Sequence, residues 1–120
     1  MKKNILIEKS IDFAAKIIKL QNYLIKSKKE AIISKQILRS GTSIGANINE
    51  ASYGQSKADF ISKLHISLKE TAETEYWLRL LVKADLLTET EANPLINDCL
   101  EIKKLLIASI NTAKGNNINK

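Results

Sequence analysis

From Arg39 to Ala51 the chain runs Arg-Ser-Gly-Thr-Ser-Ile-Gly-Ala-Asn-Ile-Asn-Glu-Ala. At helical spacing this segment continues a stripe of Ile33, Ile37, Ser40, Ile44, Asn47, Ile48 and Ala51, with Gly41 beside it. Small and polar residues stand where a core-facing helix ordinarily carries leucine. Gly41 and Gly45 each lower helix propensity by about 1 kcal/mol relative to alanine. A helix that keeps them needs a compensating gain, and close approach of a neighbouring helix supplies one. The alternative is a break near Gly41 that leaves two shorter helices. The first reading confines the chain to closely packed helices with polar residues in the seam.

Four helical segments are legible, at about 7–27, 30–53, 57–84 and 88–113. The first is apolar on two faces: Ile7, Ile11, Ala14, Ala15, Ile18 and Ile25 form one stripe, and Phe13, Ile17, Leu20 and Leu24 another. A helix at the edge of a monomeric bundle needs one stripe. Deep burial conflicts with Lys16, Lys19 and Lys26, so the second stripe points to a subunit interface. The second helix carries the Gly/Ser/Asn stripe. Ser56, with Asp59 three residues on, is a candidate N-cap for the third. Its main stripe is Phe60, Ile61, Leu64, Leu68, Thr71, Ala72, Leu78 and Val82. Thr88 and Glu91 form a capping box for the fourth. Pro94 either bends that helix or opens it afresh. Leu95, Cys99, Ile102 and Leu106 line one side of it, widened by Ile96, Leu100, Ile107 and Ile110. Gly115 stops it, and Asn116 to Lys120 reads as a frayed polar tail. Short turns favour an antiparallel up-down-up-down four-helix bundle. The chain reads as one domain over residues 1–120.

The net charge is +6, and the excess is uneven. Met1 to Glu30 holds eight lysines against three acids, among them Lys2 and Lys3. Lys16, Lys19 and Lys26 share a face of the first helix, Lys28 and Lys29 extend it into the turn, and Lys35 and Arg39 add to it from the second helix. Such a surface suits a phosphate backbone, with salt-sensitive and sequence-independent binding. Tyr23 is the nearest aromatic, so base stacking has little sequence support. A solubilising lysine face is the alternative. A lone cysteine, Cys99, excludes an intrachain disulfide and fits a reducing, cytoplasmic setting. No apolar run reaches the ~18 residues of a spanning helix, so no membrane partner is expected.

Little points to catalysis. Nothing in the sequence brings Cys99 and His65 together or supplies an orienting third group. Glu70 and Glu73 have i, i+3 spacing, but neither is followed by the histidine that a di-metal bundle site requires. Gly41-x-x-x-Gly45 lacks the Gly-Lys-Ser/Thr ending of a phosphate loop, and Asn47, Asn49 and Glu50 exclude a membrane dimer motif. No cofactor or metal is expected. The remaining polar set is Ser40, Asn47, Asn49, Glu50, Asp59, Glu70, Glu73 and Glu75. Its members either satisfy one another across helix seams or line an acidic pocket.

Two segments carry a resemblance. Gln36 to Ser40 running into Ser40–Ala51, with Asp59-Phe60, Leu64–Glu70 and Glu73–Leu78, resembles the signature of the small bacterial four-helix-bundle family encoded in 23S rRNA intervening sequences. The resemblance covers nearly the whole chain and implies a homopentamer of bundles. That family is similar to the accessory variability determinant proteins of diversity-generating retroelements, which are basic pentameric bundles. That similarity implies nucleic acid and a reverse transcriptase as partners. The expectation is therefore an all-α bundle in a ring of five that is not an enzyme. It would bind RNA or DNA through Lys16, Lys19, Lys26, Lys28, Lys29, Lys35 and Arg39. An oligomeric adaptor for a protein partner is the alternative.

Overall fold

Helix caps divide the chain. The computed structural model describes residues 2–115, with side chains from Ile5 onward; the Asn116–Lys120 tail and the Lys2 and Lys3 side chains lie outside that description. Four helices, α1 (Lys2–Lys28), α2 (Ile32–Ser52), α3 (Lys57–Lys83) and α4 (Glu89–Lys114), pack against one another, with no strand among the described residues. At the first turn Lys29 takes a left-handed conformation (φ 56°). The Glu30 carboxylate then accepts the backbone N–H groups of Ile32, Ile33 and Ser34 at 3.1, 2.9 and 2.8 Å. Glu30 thus caps α2 from outside it, whereas the sequence suggested it as the first helical residue. Ser56 accepts the Asp59 N–H, and Thr88 with Glu91 forms the full capping box. Helix α4 runs from Glu89 through Pro94, and left-handed Gly115 (φ 77°) ends it.

Helix α2 is continuous through both glycines, so the break near Gly41 does not occur. A Cβ on Gly41 would lie 3.0 Å from Ile17 side-chain atoms, and one on Gly45 would lie 2.8 Å from Ser10 Oγ. These contacts are the close approach that offsets the poor propensity, and they join α2 to α1. On its other side α2 packs on α3, α3 packs on α4, and the α1/α4 seam is the lightest.

The core is built from Phe13, Ile17 and Leu24 of α1, Ile37, Ile44 and Ile48 of α2, Leu64, Leu78 and Leu81 of α3, and Cys99, Ile102 and Leu106 of α4. Burying each large side chain contributes roughly 1.5–3 kcal/mol. Three sequence assignments change. Ala72, placed on the α3 core stripe, is exposed, and its place is taken by Ser67, Thr74 and Leu81. Leu100 and Ile107 of α4 are exposed rather than core-facing. On α1 the stripe that enters the core is Leu6, Phe13, Ile17 and Leu24, with Leu20 half-buried. Ile11, Ile18 and Ile25 stand 61%, 48% and 40% exposed.

Candidate nucleic-acid interface

The seven predicted cations divide by what holds them. Lys16 Nζ lies 2.9 Å from Asp98 of α4. Arg39 is bound by the carboxylates of Glu70 and Glu73 on α3. The pairing raises the Arg39 pKa, chiefly through the Glu73 hydrogen bond. Lys19, Lys26, Lys29 and Lys35 are exposed and make no ion pair among the described residues. Lys28 lies 6.0 Å from the Tyr23 ring centroid, a weak cation–π approach. Lys57, Lys69, Lys83, Lys104 and Lys114 on α3 and α4 are likewise without an ion pair among the described residues. Within the predicted set the unneutralised charge therefore lies where α1 ends and α2 begins. The left-handed turn at Lys29 and the Glu30 cap fix the backbone that displays it. Arg39 leaves the predicted phosphate-binding set because its guanidinium is engaged across the α2/α3 seam.

The polar residues do not share one seam. Ser40 is buried between α2 and α3. Its partner there is Thr74, joined by a Ser67 hydroxyl that donates to the Ile44 carbonyl at 2.8 Å and a Thr71 hydroxyl that donates to the Ser67 carbonyl. Hydroxyls, not carboxylates, make the buried seam, and sequence reading missed Ser67 and Thr74. Their signal was present: both fall within one turn of Leu64, Thr71 and Leu78 on the same stripe. Asn47 is half-buried, and its amide donates to the Ser43 carbonyl of its own helix at 2.8 Å.

The acids lie at the edges. Glu73 accepts from Arg39 and, at 3.1 Å, from Trp77 Nε1. Burial pushes its pKa up, but these donors and the Arg39 charge outweigh it, so Glu73 stays below the ordinary carboxylate range. Glu75 behaves in the same way at the α3/α4 edge, where Arg79 and Lys103 offset its burial. Asn49, Glu50 and Asp59 line an open cleft of about 510 Å³ at the α2/α3 turn, together with exposed Tyr53. There Glu50 pairs with Lys63 at 2.9 Å.

Cys99 is fully buried, and burial, aided by the charges of Glu75 and Asp98, pushes its thiol up to about 12. A thiol so protonated is a core residue and not a nucleophile. His65 is exposed on α3. Among the described residues no group of three or more His, Cys, Asp or Glu side chains is placed to hold a metal ion. None of the described helices is long and apolar enough to cross a membrane.

The sequence profile described as "23S rRNA-intervening sequence protein" matches residues 2–108. Among solved structures, the chain is similar to a protein of unknown function from the S23 ribosomal protein family of Bacteroides thetaiotaomicron VPI-5482, whose crystal structure was determined at 1.70 Å resolution. The two are 54% identical with a TM-score of 0.90, and the likeness covers 92% of this chain and 98% of that one. No curated protein matches the chain. On a match that spans nearly its whole length, the chain belongs to the 23S rRNA-intervening sequence protein family.

Proposed function

We propose that this protein is a non-enzymatic, cytoplasmic bundle that assembles with copies of itself and associates with RNA through the α1–α2 end. The observation that carries the RNA reading is the division of the cations. Lys9, Lys16, Arg39, Lys63, Arg79 and Lys103 each meet a carboxylate; of the described lysines that do not, Lys19, Lys26, Lys28, Lys29 and Lys35 follow one another from α1 into α2, while Lys57, Lys69, Lys83, Lys104 and Lys114 are spread over α3 and α4. Charge left unneutralised at one end of a helical rod offers phosphate contacts at no cost in internal ion pairs.

An up-down-up-down course is supported by cross-helix contacts whose residue numbers run in opposite senses. Ser10 meets Gly45 while Ile17 meets Gly41. Ile44 meets Ser67 while Ser40 meets Thr74. Lys9 meets Glu101 while Lys16 meets Asp98. Assembly is supported by Ile11, Ile18 and Ile25, which are exposed at the seven-residue spacing by which helices of separate chains pack. The occupant of that stripe is a second copy of the chain, in the ring of five that the family resemblance implies. Each added copy would multiply the lysine array.

The test is binding of labelled structured RNA at 50 and 200 mM salt. Five lysine–phosphate contacts predict a loss of several hundred-fold over that range. Lys19→Glu with Lys26→Glu should abolish binding. Absence of RNA binding at low salt refutes the reading, and nuclease-resistant recovery of a single protein partner favours the adaptor alternative.

A further inference from the structure

The seam between α1 and α4 carries a shallow, open hollow of about 330 Å³ beside the lysine array. Its apolar lining is Leu20 and Tyr23 of α1, Leu87 of the α3–α4 turn, and Leu95 of α4. Leu87 and Leu95 are buried, while Leu20 and Tyr23 are half-buried. Lys16, Lys19 and Glu91 form the rim. Lys16, Leu20 and Tyr23 recur at helical spacing on α1, so the cations and the ring share one face.

We infer that this hollow receives an unpaired base of a single RNA strand, with Tyr23 as the stacking ring and the unpaired Lys19 and Lys28 as contacts for the flanking phosphates. The inference rests on the RNA reading above and deepens it by naming the form of RNA. Three observations favour this occupant. The unpaired lysines continue past the hollow from Lys19 to Lys28, a distance of about 14 Å along the helix axis, which suits a repeating anion and not a single charged group. The hollow is apolar between charged walls, which matches a base between phosphates. The Tyr23 ring is half-buried among these lining side chains, and Glu91 is held by the Thr88 N–H at 2.9 Å. The rim acid is thus engaged within the protein. Stacking on an aromatic ring tolerates any base. A duplex offers phosphates but keeps its bases in the stack.

Fluorescence anisotropy with a 12-nucleotide unstructured RNA and a duplex RNA of equal phosphate count distinguishes the two forms, at fixed salt and on the full chain. Tyr23→Leu keeps an apolar wall and removes the ring. It should weaken single-strand binding about 5- to 100-fold and leave duplex binding and the thermal midpoint unchanged. Tyr23→Phe should retain single-strand affinity. Single-strand binding unmoved by Tyr23→Leu, or an equal loss for both RNAs, overturns the inference while leaving the lysine reading intact. A wild-type protein that binds neither RNA overturns both.

Discussion

The hydroxyl oxygens of Ser40 and Thr74 lie 2.8 Å apart, fully buried between α2 and α3. Thr74 Oγ1 is also 2.8 Å from the Glu70 carbonyl of its own helix. Each hydroxyl has one proton, so Thr74 donates to the carbonyl and Ser40 donates to Thr74. Ser40 has only a distant second acceptor, the Ile37 carbonyl at 3.5 Å. Thr74→Val should therefore leave Ser40 without a good partner and cost about 1–3 kcal/mol. Ser40→Ala should cost about 1 kcal/mol, because Thr74 keeps its carbonyl. Urea unfolding of the two variants checks the order, and an equal or reversed cost would show that the pair is not directional.

Gly45 and Ser10 make a second pair, across α1 and α2. Ser10 is buried and donates to the Ile7 carbonyl at 2.7 Å, so its hydroxyl does not swing away freely from a new methyl group. Gly45→Ala gains about 1 kcal/mol of helix propensity, but overpacking costs about 1–3 kcal/mol. The expected sum is a loss of up to about 2 kcal/mol. Ser10→Ala removes the oxygen that the methyl group meets. In the double variant part of the Gly45→Ala loss should be recovered, as a positive coupling in a double-mutant cycle. A Gly45→Ala protein more stable than wild type would refute the account of close packing.

These two seams show what the sequence made legible. Periodicity located all four helices, because long amphipathic segments with Ser56 and Thr88 caps leave few alternatives. The glycines disclosed a close approach, but not which helix makes it, since a missing side chain does not name its neighbour. The hydroxyl seam was harder. Ser67 and Thr74 resemble surface residues by type, and only the carbonyls and hydroxyls facing them make their burial inexpensive. Arg39 looked like one more surface cation until α3 brought Glu70 and Glu73 against it. Tyr23 was visible beside the lysines, but the hollow it lines depends on Leu87 and Leu95, more than 60 residues away in the chain.

The depressed pKa values of Glu73 and Glu75 tie stability to pH. Each carboxyl binds its proton less readily in the folded chain than in the unfolded chain. The stability they contribute is therefore fully present above the ordinary glutamate pKa of about 4.3, and it is lost as pH falls through their lower folded values. The thermal midpoint should drop on that acid limb. Glu75→Gln, which removes the more buried of the two charges, should flatten the drop and lower the midpoint at pH 7. An unchanged slope between pH 5 and pH 3 would mean that these ion pairs contribute nothing to acid unfolding.

The exposed α1 stripe gives the last prediction. Ile11, Ile18 and Ile25 stand in one line, with Ala15 also exposed and Ile7 and Ala14 half-buried alongside. Ile18 is the middle of the three, and its side chain contributes nothing to the protomer core defined by Phe13, Ile17 and Leu24. Ile18→Glu should therefore leave the helix content and fold of a protomer intact. In an assembled ring the same change buries a carboxylate in an apolar contact, at a cost of several kcal/mol for each unpaired charge. Sedimentation velocity at micromolar concentration should show the wild-type chain as an oligomer and Ile18→Glu as a folded monomer. RNA affinity should fall with it, since the lysines of separate protomers no longer act on one strand. A wild-type chain that sediments as a monomer would leave the isoleucine stripe without a partner copy and reduce the cationic surface to a single protomer's array.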